Sequence, residues 1–191
     1  MTMITPIVNE ILVDLTVPIK LWEFSLDNLP AHRRKVIHQD VLNIAQDQGD
    51  KQGGTLRVQA QMTDWCMHRD HASFREIANR AESIVQQWYL DNARMTLQTK
   101  ITACWAVSYA KGQHSITHSH QPDLFSFVYY VAADEASAPL VFPDPPCYCY
   151  QPRTGYGVIF PAWLNHMVPT QESTGTRVVV AGNIQGLAYR E

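Results

Sequence analysis

With 191 residues and a mass of 21.7 kDa, the chain has room for one domain with extensions and none for a second catalytic domain. Its composition, 46% hydrophobic, 17% charged and 10% aromatic, excludes a disordered or fibrous protein and predicts a packed core. A formal charge of −3 and a pI near 6.2 provide no global attraction to nucleic acid or anionic membrane, so the expected partner is a small molecule or peptide.

The opening MTMITPIVNEILVDLTVPI lacks the basic region and unbroken apolar run of a signal peptide, and no apolar run elsewhere reaches membrane-spanning length. A cytoplasmic location is therefore expected, with Cys66, Cys104, Cys147 and Cys149 reduced. Cys147-x-Cys149 has no second CxC or CxxC to complete a soft metal site and reads as part of a strand or turn.

In chain order, residues 1–26 are β-branched and interrupted by Pro6 and Pro18, which suggests a short strand or two at a sheet edge. Leu29 to Gln48 carries Val36, Ile37, Val41, Leu42, Ile44 and Ala45 at helical spacing, with Gly49 as the stop. GDKQGG at 49–54 reads as a loop, and LRVQAQMTDW at 56–65 alternates like a strand. A second helix is predicted from His71 or Ser73 to Asn92, with an apolar stripe from Phe74 to Tyr89. After Leu97 come short strand-like runs separated by Gly, Pro, Asp and Ser. The pattern predicts an α+β, mainly β protein: a jelly-roll barrel at 97–191, with 1–96 supplying helices packed on one face and edge strands, all as one domain.

Three of the eight histidines stand apart: His118 and His120 before one strand, and His166 after another. Two residues apart on an extended chain, His118 and His120 project together and can reach one ion, with His166 arriving from a distant strand. Beyond His166, across a short hairpin, lies Arg177 on TRVVVAGN, where both residues can sit on paired neighbouring strands. A guanidinium pointing into a barrel needs a carboxylate, and no acidic residue lies on the strand segments flanking this pair, so an external carboxylate is inferred. Strand parity adds Ser126, Val128 and Tyr130 on one face, and Arg177, Val179, Ala181 and Asn183 on another. Ser126, Tyr130 and Asn183 are therefore further polar candidates, with Tyr130 offering a hydroxyl to the same carboxylate. His114, Trp105, Ser108 and Tyr109 are expected to border the pocket, whereas His32, His38, His68 and His71 read as surface or structural.

The order HSH, aromatic strand, GYGVIFPAWLNHMV, then TRVVVAGN resembles the double-stranded β-helix 2-oxoglutarate/iron(II) oxygenases, including bacterial and phage members, over about residues 99–186. The resemblance implies His118 and His166 as iron ligands, and Arg177 with Tyr130 binding the 5-carboxylate of 2-oxoglutarate. Phe160-Pro161 would close the strand leading to the distal histidine. It also implies dioxygen as co-substrate and hydroxylation of a C–H bond with release of succinate and CO2. His120 stands where the wider superfamily has Asp or Glu. A three-histidine site is the preferred reading. Asp123 replacing His120 as ligand, or either residue acting behind the ligands, stays open. Two other functions compete: a cupin-like three-histidine dioxygenase without 2-oxoglutarate, and a catalytically inactive binding or structural member of the fold. Substrate identity and oligomeric state, a homodimer included, are left open by the sequence.

Overall fold

The computed structural model describes residues 9–13, 19–49 and 55–187; residues 50–54 of the loop predicted at 49–54 and the prolines Pro6 and Pro18 lie outside them. Helix α1, Ala31–Gly49, starts behind Pro30, whose carbonyl accepts the first turn's N–H groups and whose missing donor costs nothing at that position. It buries Ile37, Val41 and Ala45 on one stripe, while Val36 faces solvent. A short α2, Met67–Asp70, precedes α3, Ala72–Ala93, which buries Phe74, Ile77, Ala78, Ala81, Ile84 and Val85. Arg94, in the left-handed conformation at φ 53°, ends α3.

The strands are β1 Asn9–Val13, β2 Ile19–Ser25, β3 Val58–Gln59, β4 Gln61–Met62, β5 Thr99–Tyr109 and β6 His114–His118. They continue with β7 Phe125–Ala132, β8 Leu140–Phe142, β9 Tyr148–Tyr150, β10 Tyr156–Pro161, β11 His166–Val168 and β12 Arg177–Gly186. They form two antiparallel sheets, a seven-stranded one in the order β1-β2-β10-β7-β12-β5-β4 and a five-stranded one in the order β3-β6-β11-β8-β9. The large sheet is apolar on both faces because each face has its own cover. Phe127, Tyr129, Val178 and Val180 pack with the helices in one core. Val128, Tyr130, Val179 and Ala181 join Leu140, Phe142 and Val168 of the small sheet in the other.

The sheets differ from the sequence reading in two places. The predicted strand at 56–65 is two strands in different sheets: β3 pairs with β6 and β4 with β5, and the buried Ala60 between them marks the crossing. His166 and Arg177 are not on paired neighbours. β11 pairs with β6 and β8, whereas β12 pairs with β5 and β7, so the two residues enter the same interior from opposite sheets. Within 132–154 lie β8 and β9, and Cys149 sits in β9 at the edge of the small sheet with the exposed Cys147 just before it. All four cysteines are free thiols. No helix among the described residues is long and apolar enough to cross a membrane.

Candidate metal centre

The alternation of β12 puts Arg177 into the interior between the sheets, and the pairing of β11 on β6 sets His166 opposite His118. β6 ends at His118, yet His120 still turns inward because its backbone N–H donates to the Ala162 carbonyl at 2.7 Å. The ring centroids of His118 and His120 are 5.1 Å apart, those of His118 and His166 4.4 Å, and those of His120 and His166 5.1 Å. One nitrogen from each ring lies within 4.8 Å of the other two, an arrangement that can hold one ion. It is the one such group of His, Cys, Asp and Glu among the described residues. Asp123 lies outside it and accepts a hydrogen bond from the Thr102 hydroxyl at 2.9 Å.

Tautomer and charge both suit ligation. His118 Nδ1 lies 2.7 Å from the Ile116 carbonyl and His166 Nδ1 lies 3.0 Å from the Leu164 carbonyl. A carbonyl only accepts, so both Nδ1 atoms carry the proton and both Nε2 lone pairs are left for a metal. Burial pushes His166 down to about 3, helped by the nearby His118, and His120 down to about 4, helped by His118 and Arg57. Burial lowers His118 as well. All three are neutral imidazoles at pH 7, as coordination requires. Phe160 holds the His166 ring edge-on at 4.9 Å, and Trp105 packs 5.8 Å from His120.

The same cavity is lined by Arg177. Arg177 is 1% exposed, its Nε donates to the Ala138 carbonyl at 3.0 Å, and its Nη1 has no partner. Its guanidinium lies 4.5 Å from the Tyr109 ring centroid and 5.5 Å from that of Tyr130. The Tyr130 hydroxyl is likewise buried and unpaired; burial drives its pKa up to about 12 against the pull of Arg177, so it is a neutral donor. Among the described residues no carboxylate pairs with Arg177. A buried cation with an open edge beside an unpaired hydroxyl suits an incoming carboxylate.

Ser126 lines the cavity, and its hydroxyl donates to Asn183 Oδ1 at 2.9 Å, so this pair braces β7 against β12. His38 bonds the Tyr129 hydroxyl at 2.9 Å on the helix side, a structural contact. Tyr109 against Arg177 was legible only as a pocket-bordering residue; pairing of β5 with β12 makes the two register partners, which alternation cannot show. The Ala138 carbonyl had no signal in the sequence, since a main-chain acceptor carries none.

Comparison with solved structures finds the same fold in proteins that include a member of the 2OG-Fe(II) oxygenase family from Burkholderia pseudomallei, at a TM-score of 0.61 and 13% identity. A viral collagen prolyl hydroxylase from Paramecium bursaria Chlorella virus-1, solved with 2-oxoglutarate, superposes with a TM-score of 0.63 at 13% identity, covering 87% of this chain and 96% of that one. A prolyl-4-hydroxylase from Pseudomonas putida gives 0.65 at 14% identity, covering 86% and 91%. HygX from Streptomyces hygroscopicus, with nickel, 2-oxoglutarate and hygromycin B bound, gives 0.60 at 8% identity, covering 90% and 84%. No family model matches the chain, and no curated protein matches it.

Proposed function

We propose that this protein is a non-haem iron(II), 2-oxoglutarate-dependent dioxygenase, one domain on a double-stranded β-helix, which hydroxylates a C–H bond of a small molecule or peptide. The carrying observation is the conjunction, in one cavity, of three neutral imidazoles and a buried guanidinium whose Nη1 has no partner. Either half alone has other uses. Together they match a ligand that chelates a metal at one end and carries a carboxylate at the other.

In this reading His118 and His166 present Nε2 to iron, and His120 completes a three-histidine set. Asp123 is left in its bond to Thr102. Three neutral ligands cancel none of the ion's charge, so an anionic chelate is favoured there. Arg177 takes the distal carboxylate on its open edge, the Tyr130 hydroxyl donates to the same group, and Ser126 with Asn183 holds the adjoining strands in register. Iron with 2-oxoglutarate and dioxygen supplies the oxidation, yielding succinate, CO2 and the hydroxylated product. The protein supplies the position of both ends and an apolar wall, from Val107, Val128, Leu140, Phe160 and Val179, that excludes water. The solved structures of this fold include prolyl hydroxylases and a protein holding hygromycin B, which is compatible with either a peptide or a small-molecule substrate.

Anaerobic titration of the iron(II) protein with 2-oxoglutarate tests the proposal. A weak visible charge-transfer band is expected on addition, and its loss in Arg177→Ala with iron still bound. Iron binding without the band would favour the all-imidazole dioxygenase that needs no co-substrate. A protein that binds both yet forms no succinate with any substrate would be a silent member of the fold.

A further inference from the structure

Gln171 lies on the connection between β11 and β12, is wholly buried, and sits at the centre of a hydrogen-bonded chain that ends on Arg177. Its backbone N–H donates to the Gln113 carbonyl at 2.8 Å and its carbonyl accepts from the Gly112 N–H at 2.7 Å, which ties it to the turn between β5 and β6. Its side-chain Oε1 accepts the Ala138 N–H at 2.7 Å, and the Ala138 carbonyl accepts Arg177 Nε at 3.0 Å. Because the Ala138 N–H needs an acceptor, the network sets the amide's orientation and leaves Nε2 unpaired. The amide leaves its own Nε2 stranded while it satisfies the buried Ala138 N–H, which an apolar side chain such as methionine would leave without an acceptor. What the amide does is hold the N–H side of Ala138, one residue's backbone away from the carbonyl that holds the base of the guanidinium. With Nε occupied and Tyr109 and Tyr130 flanking the group, Nη1 is the edge left for a ligand.

We propose that Gln171 is a positioning residue for the distal carboxylate of 2-oxoglutarate, acting through the backbone of Ala138 to aim Arg177; this rests on the function proposed above. The loop between β7 and β8 and the loop between β11 and β12 then serve the cofactor pocket without touching the cofactor. Loss of the Gln171 acceptor frees the backbone at Ala138 to shift, and the guanidinium loses its fixed direction while keeping its charge.

The iron(II) protein is titrated anaerobically with 2-oxoglutarate and with 2-oxopentanoate, which keeps the chelating end and chain length but has a methyl in place of the distal carboxylate. Gln171→Met is expected to weaken 2-oxoglutarate about tenfold, the scale of one oriented hydrogen bond, and to leave 2-oxopentanoate and iron(II) affinity within about twofold. Gln171→Leu is a second acceptor-free variant should Met not be tolerated, with the same split expected. Equal weakening of both ligands would mean a merely structural role, and no weakening of either would mean none; both overturn the inference. Absence of any 2-oxoglutarate band in the wild-type protein would instead remove the proposed function, independently of Gln171.

Discussion

His166 faces His118 across β11 and β6 by means of a bulge. The register pairs His166 with His118 and Val168 with Ser115, three steps along β6 against two along β11. The extra residue lets Ser115 and His118, of opposite parity, both line the cavity. It also places the Ile116 carbonyl against His118 Nδ1.

Deleting Thr117, an exposed residue within this bulge, should therefore rotate His118 out of the cavity. Metal affinity is expected to fall more than ~100-fold, beyond the loss typical of an outer hydrogen-bond partner, and to match His166→Ala. Asp123→Ala is expected to stay within about threefold of wild type by the same measure, since its carboxylate is engaged by Thr102. Isothermal titration with cobalt(II) reads all three; a collapse in Asp123→Ala would reassign the third ligand.

The metal-free protein should lose stability as pH falls below about 6.5, the ordinary histidine value. His120 and His166 have folded values pushed down to about 4 and about 3 by burial, and His118 is lowered too. Between 6.5 and those folded values the unfolded chain binds protons that the folded chain refuses. Stability present at pH 8 is thus lost on acidification, at a limiting slope of ~1.4 kcal/mol per pH unit for each histidine. Thermal melting of apoprotein from pH 8 to pH 5 checks this, and saturating metal should flatten the curve.

Arg177→Met should separate stability from cofactor binding. A buried guanidinium with an open edge is costly, so the apolar replacement is expected to leave unfolding free energy unchanged or raise it by up to ~3 kcal/mol. The same change should weaken 2-oxoglutarate by ~30-fold or more, the cost of removing one member of a buried charge pair. Urea unfolding and the anaerobic titration together decide it; a destabilised protein with intact cofactor binding would contradict both halves.

Gly157 lets β10 lie close to β7 and β2. A Cβ there would come within 2.5 Å of the Phe24 ring and 2.6 Å of the Val128 carbonyl, and the latter is backbone that cannot step aside. Gly157→Ala is expected to cost ~2–3 kcal/mol by overpacking, measured by urea unfolding.

Much of this protein could be read from residue order. The stripe of Ile37, Val41 and Ala45 specifies a helix, and the parity of Ser126, Val128 and Tyr130 assigns them the face opposite Tyr129, because helical and strand periods dictate which side of an element is apolar. His118 and His120 were recognisable as a pair, and Arg177 as a charge in want of a partner. The choice of strand neighbours was not encoded in the same way. Alternation says which face is buried but not which strand lies alongside, so β11 and β12, adjacent in sequence, could be assigned to one hairpin when they belong to different sheets. The tertiary structure decided that His166 and Arg177 line one cavity from opposite sheets, that a bulge aims His118, and that Ala138 and Gln171 hold the guanidinium. Each depends on backbone pairing or main-chain acceptors, which every residue possesses and no residue type advertises.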